Sequence, residues 1–147
     1  THYSGKMGIV REGCLKYIPS IAFSSCDYDP DANLEPLRSY VVKIVKQVLN
    51  DGLPKGVCLN VNFPIGDSFK GIKVCRMGYG SWTKETLRCE HPKGFSYYWL
   101  LGQYHNDEPT ATDTDHYALQ NGYISVTPTR IDITDYDVLD KLKAWEQ

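Results

Sequence analysis

Ser4, Gly5 and Lys6, within the run Tyr3-Ser4-Gly5-Lys6-Met7-Gly8, have the types and spacing best suited to chemistry, a small-residue turn opening onto an amphipathic helical pattern. Such a turn presents backbone N–H groups without intrahelical partners at the positive end of a helix dipole, and both favour a phosphate or a carboxylate. No strand pattern precedes the turn. Ser4, Gly5 and Lys6 therefore read as half of an anion site whose other half is expected upstream. Gly5-Lys6 is not a P-loop, because the upstream glycine and the following Ser or Thr are missing.

Other constellations are weaker. Asp113, Asp115 and His116 stand close enough to bind a metal or to act as acid and base, but helix capping accounts for Asp115 without chemistry. Asp27, Asp29, Asp31 and Asn33 alternate as calcium-loop ligands do, yet the sixth position is Ala32 and the twelfth is Arg38, so a solvated acidic connection is the better account. Asn60 and Asn62 share one face of a strand and either shape a pocket or form a satisfied polar face. His2, His91 and His105 have no partner at ligand spacing, and the five cysteines lack any C-x-x-C or Cys/His grouping, so they read as reduced structural thiols. Tyr97, Tyr98, Trp99 and Tyr104 suit stacking on bases, though strand propensity and subunit contact explain them more economically. The sequence itself offers no catalytic residue and no metal ligand set.

Periodicity supplies the elements that must position these residues. Met7, Val10, Cys14 and Ile18 recur at three and four residues, predicting a helix from Ser4 to about Lys16 that Pro19 ends, before a short strand Ser20–Ser24. Leu34, Leu37, Val41, Ile44, Val45 and Val48 mark a second helix closed by Asp51-Gly52. Val57, Leu59, Val61 and Phe63 alternate with polar residues in a strand ending at Pro64. Helix, strand, helix, strand argues for a parallel α/β sheet. From Met77 to Glu108 the helical period vanishes in favour of glycines, prolines and aromatic strand formers, which predicts a projecting hairpin. That hairpin either folds back on its own domain or meets another subunit. Thr112 with Asp115, and Thr134 with Asp137, have capping-box spacing for two further helices, with strand segments at Tyr123–Pro128 and Ile131–Ile133 between them. Three parts are expected: an α/β core remainder over 1–77, an aromatic arm over 78–112 and a helix-strand-helix tail over 113–147.

The 147 residues, 41% of them hydrophobic, are enough for one domain with a real core. A net charge of -2 with scattered Lys and Arg argues against a polymeric nucleic acid as partner. No apolar run reaches the roughly 20 residues of a membrane span, and no charged-then-apolar leader opens the chain, so a soluble cytoplasmic protein with no membrane contact is expected.

Tyr3-Ser4-Gly5-Lys6-Met7-Gly8, Leu59-Asn60-Val61-Asn62-Phe63-Pro64, and Thr114-Asp115 followed by Gly122-Tyr123-Ile124-Ser125-Val126-Thr127-Pro128 together resemble the survival protein E (SurE) nucleotidases. Pro92-Lys93-Gly94 leading to Tyr98-Trp99 and Gly102 fits the hairpin region of that family. The resemblance implies an α/β fold, the C-terminal part of a Rossmann-like SurE fold with a projecting β-hairpin and a C-terminal helix. It implies a phosphatase acting on nucleoside 5′- and 3′-monophosphates, dependent on magnesium or manganese, in subunits that form a homodimer or higher homo-oligomer through the hairpin and exchanged C-terminal elements. The metal ligands of the family would all precede Thr1, so the chain alone is expected to be inactive. Ser4 and Gly5 match positions lining the family's phosphate pocket. Lys6 stands where a threonine is usual, and either binds phosphate as a point charge, blocks the pocket or points into solvent. A non-catalytic oligomerisation or binding module derived from the family is the alternative. A sheet lacking its leading strands exposes an edge, so poor stability in isolation is also expected.

Overall fold

Strand parity organises the core. The computed structural model describes residues 4–146; His2 and Tyr3, drawn into the reading above, lie outside the described residues. Strand β2 (Val57–Phe63) is flanked by β1 (Ile21–Ser25), which runs parallel to it, and β8 (Ile124–Arg130), which runs antiparallel; β3 (Ile72–Val74) lies parallel to β8 on the far side. Successive side chains of a strand point to opposite faces. Val61 and Phe63 therefore face helix α2 (Glu35–Asp51), whose Ile44 joins them with Ile124 and Val126 in the larger core. Cys58 faces the other way and packs with Ala22 of β1 and with Met7 and Cys14 of helix α1 (Gly5–Leu15).

The sheet is mixed where the helix-strand alternation predicted a parallel one. Residues 64–71 form a loop, not a crossover helix, so the chain reverses and enters β3 antiparallel to β2. A parallel connection needs a crossover of a dozen or more residues. Helix α1 ends at Leu15, ahead of Pro19, because Tyr17 takes a left-handed φ of 60° and the Ile18 N–H returns to the Gly13 carbonyl at 3.1 Å. Ile18 thus falls outside the helix and is exposed.

From β3 the chain leaves the sheet as an arm. Its root is the antiparallel pair β4 (Gly80–Thr83) and β7 (Gln103–Asn106), and its tip is the pair β5 (Thr86–Glu90) and β6 (Ser96–Leu100). Lys84 at φ 52° and Gly102 at φ 154° separate the two on opposite strands. At the tip turn Gly94 takes φ 83°, and His91 stacks on Phe95 at 4.3 Å, a structural use of that histidine.

Helix α3 (Asp115–Gln120) returns the chain to β8. Its cap is Thr114, not Thr112: Thr114 has an extended backbone and its Oγ1 accepts the Tyr117 N–H at 3.2 Å. Likewise Asp135, not Thr134, caps α4 (Tyr136–Leu142), accepting the Val138 N–H at 3.0 Å. Ile131–Ile133 is not a strand, since Ile131 turns into the α1 side of the core and Asp132 forms a turn by accepting the Thr134 N–H. Helix α4 buries no residue and leaves Val138, Leu139 and Trp145 beyond it exposed.

Candidate functional site

A cleft of about 460 Å³ opens where the carboxyl ends of β1 and β2 meet the start of α1, the arm root and α3. Ligands of open α/β sheets collect at the carboxyl ends of parallel strands, because the helices that follow present their N-termini there. Ser4 and Lys6 enter from α1, Ser24 and Asn62 from paired positions on β1 and β2, and Asn60 from one step deeper on β2. A second cleft, of about 370 Å³, lies against Tyr17, Pro19, Pro54 and Lys55 and has no carboxylate or histidine among the described residues of its lining.

Ser4 is the N-cap of α1, with an extended backbone (φ -83°, ψ 117°) and its Oγ facing the Met7 N–H at 3.4 Å. Gly5 contributes backbone at the first helical position, where a Cβ would meet no atom within 4 Å. Lys6 points into the cleft: its Nζ donates to Asn62 Oδ1 at 2.8 Å. Half-buried, the ammonium has no carboxylate ion pair among the described residues. Desolvation pushes its pKa below the ordinary lysine value, and the neighbouring Cys26 thiol, itself raised by burial, partly offsets the shift. A cation held at a helix N-terminus by a neutral amide gains from any anion that reaches it.

The floor carries a further signal. Asn60, only 4% exposed, keeps its Oδ1 without a hydrogen-bond partner among the described residues, and so does Ser125 Oγ on the adjacent β8. An unsatisfied buried acceptor costs about 1–3 kcal/mol. Sequence parity placed Asn60 and Asn62 on one face, and the structure shows that this face looks into the cleft.

The opposite wall comes from the arm root and α3. Trp82 and Tyr104 lie opposite one another on β4 and β7 with ring centroids 5.7 Å apart, and the His116 ring sits 5.3 Å from Tyr104. Asp115 serves structure here: its Oδ1 accepts the Gly78 N–H at 2.9 Å and the His116 N–H at 2.8 Å. Beside it Arg76 binds Glu108 through both terminal nitrogens at 2.9 and 2.7 Å and Asp113 through Nε at 2.9 Å, and Glu108 also accepts the Tyr79 N–H at 2.7 Å. The guanidinium holds the Glu108 carboxyl well below the usual range, at about 2, and lowers that of Asp113. This ion-pair clasp ties both strands of the root to the core.

Of the residues singled out by sequence, Ser4, Lys6, Asn60, Asn62, Tyr104, Asp115 and His116 share the cleft, whereas Tyr97, Tyr98 and Trp99 sit on the arm tip away from it. Trp82 escaped the sequence reading, since only the register of β4 against β7 brings it to Tyr104. The acidic run resolves into local turns: Asp27 Oδ1 accepts the Asp29 N–H, Asp29 Oδ1 the Asp31 N–H, and Asn33 Oδ1 the Glu35 N–H. For a divalent cation the described residues do not fit. No three His, Cys, Asp or Glu residues among them converge, and Asp115, the one carboxylate of the cleft, has an oxygen committed to two backbone N–H groups. No described helix is long and apolar enough to cross a membrane.

Comparison with known proteins agrees with this architecture. The family model described as "Survival protein SurE" matches residues 1–84. The chain is 51% identical to a 5′-nucleotidase SurE of Phocaeicola vulgatus over 144 residues, which are 98% of the chain and 56% of that relative. A 5′-nucleotidase SurE of Bacteroides thetaiotaomicron is 47% identical over 146 residues, covering 99% of the chain and 56% of the relative. The crystal structure of SurE from Aquifex aeolicus superposes with a TM-score of 0.78 at 36% identity, over 99% of the chain and 59% of that structure. The chain thus spans little more than half the length of the relatives it matches.

Proposed function

The chain belongs to the survival protein SurE family, and from that premise we propose that it supplies the anion-binding end of a nucleotidase site for nucleoside 5′- and 3′-monophosphates. The observation carrying this reading is the Lys6 ammonium, half-buried at the start of α1, bound to the neutral amide of Asn62 and open to the cleft. Ser4 and Gly5 orient the helix start, and Lys6 stabilises the phosphate as a point charge.

Hydrolysis also requires activation of a water, and on the family resemblance a magnesium or manganese ion belongs to this reading. The described residues offer it no ligand set, so they bind phosphate and orient the ester without completing the reaction. A chain limited to them is expected to bind AMP and to release no phosphate from it. Sustained phosphate release by the pure chain would overturn this division of labour.

The direct test is calorimetric titration with inorganic phosphate. Lys6→Met is expected to weaken binding about tenfold, the loss of roughly one charge-assisted contact. Because the Lys6 pKa lies below its ordinary value of 10.5, affinity should begin to fall with rising pH before that value is reached, and Lys6→Arg should retain it to higher pH. Equal affinity in the wild type and Lys6→Met would remove the assignment.

A second reading, a non-catalytic association module, is favoured by the exposed Tyr98, Trp99 and Leu100 of the arm tip. It predicts self-association without phosphate binding, whereas the first reading requires phosphate binding whatever the subunit count.

A further inference from the structure

The cleft is chemically two-sided. On one side stand the Ser4 cap and the Lys6 ammonium, and on the other stand Trp82, Tyr104 and His116 as one continuous wall of rings. Trp82 is 55% exposed although its ring is firmly seated. A Cβ at Gly102 would lie 2.8 Å from Trp82 Cε3, and Tyr104 meets the indole edge-on at 65°. A ring so held loses little freedom when a second ring stacks on it, and the clasp of Arg76 on Glu108 and Asp113 fixes the root that carries it.

An indole face left open inside a cleft that also holds a desolvated cation calls for one molecule with a flat π-system and an anionic group. We propose that Trp82, supported by Tyr104, stacks on the base of the nucleotide and is the residue by which this cleft distinguishes a nucleotide from a simple sugar phosphate. Cleft volume agrees, since about 460 Å³ falls within the roughly 300–1,000 Å³ of small-molecule sites. Stacking on an aromatic side chain is tolerant of base identity because every base presents a π-face, so the wall reads that a base is present and not which one. Arg76 and Glu108 are positioning residues: they hold the wall at its place over the cleft without touching the base. The assignment deepens the nucleotidase reading and shares its cleft, but the stacking half stands on the rings alone.

The test uses the chain with Trp99→Phe and Trp145→Phe, so that tryptophan emission reports Trp82, titrated separately with adenosine, AMP and ribose 5-phosphate. Adenosine and AMP are expected to quench the emission, and AMP to bind about tenfold or more tightly than ribose 5-phosphate. In Trp82→Ala, followed by calorimetry, the two phosphates should bind equally, and Trp82→Phe should restore part of the preference. Ribose 5-phosphate affinity unchanged in Trp82→Ala confirms that the variant is folded. Arg76→Gln should shrink the AMP preference while leaving ribose 5-phosphate affinity in place. Equal affinity for AMP and ribose 5-phosphate in the parent chain, or a preference that survives Trp82→Ala, overturns the stacking assignment. Quenching by adenosine without any binding of ribose 5-phosphate would instead sink the anion site proposed above and leave the wall standing.

Discussion

The root and the tip of the arm are built from the same kinds of residue and have different surroundings. Trp82 and Tyr104 at the root pack on each other, on His116 and over Gly102 within the cleft, beside a guanidinium bound to two carboxylates. Tyr98, Trp99 and Leu100 at the tip, the last 85% exposed, lie on a two-stranded ribbon that pairs with no other strand among the described residues. Residue type does not separate these regions, because aromatic and β-branched residues suit any pleated surface. Anchoring separates them. The root is covalently and ionically continuous with β3 and α3, so its rings occupy fixed positions beside the sheet's carboxyl ends. A lone two-stranded ribbon is marginal in water, and the tip leaves its large apolar side chains exposed.

The contrast can be broken most severely at Gly80. A Cβ there would collide with the Tyr104 ring and the His105 carbonyl, so Gly80→Val should destabilise the chain by about 3 kcal/mol and shift Trp82 emission to the red. Gly94→Ala at the tip has open space and meets only the strain of a left-handed φ, about 1–2 kcal/mol, with Trp82 emission unmoved. Chemical denaturation with fluorescence would compare them, and equal effects on Trp82 would erase the distinction between root and tip.

A smaller effect is expected from replacing Trp99 and Leu100 together by serine. Sedimentation should show self-association weakened by about 2 kcal/mol, while the unfolding free energy of the separated chain changes by about 0.5 kcal/mol or less. Association that survives this double substitution would move the contact elsewhere, for example to the exposed residues of α4.

The smallest effect is a pH response confined to the root. Glu108 has its carboxyl lowered from 4.5 to about 2 by Arg76, so its contribution is complete above 4.5 and is lost as pH falls from there toward 2. Hydrogen exchange at the Tyr79 amide, which donates to Glu108, should accelerate over that window. In Glu108→Gln the dependence should vanish. Amides of the tip pair, whose own ion pair of Arg88 with Glu90 at 2.9 Å lies on the exposed ribbon far from Tyr79, serve for comparison.

Much of the core was legible in the chain itself. The two-residue alternation of Val57–Phe63 and the three- and four-residue spacing of Met7, Val10 and Cys14 are local patterns, and local patterns report which face of an element is buried. The caps were legible only approximately. Thr112 and Thr134 have the right spacing, but the backbone bridge between Arg76 and Thr114 sets where α3 begins, and Asp135 outcompetes Thr134 at α4.

The sequence by itself determined most of the elements, the face on which Asn60 and Asn62 lie, and the helix-opening turn of Ser4, Gly5 and Lys6, because each depends on residues within a few positions of one another. Tertiary structure alone decided that β8 runs antiparallel to β2, that Lys6 reaches Asn62, and that Trp82 comes to Tyr104 at the edge of the cleft. Those contacts join residues tens of positions apart, and their pairing follows from strand register and from the reversal at residues 64–71, which no local pattern records.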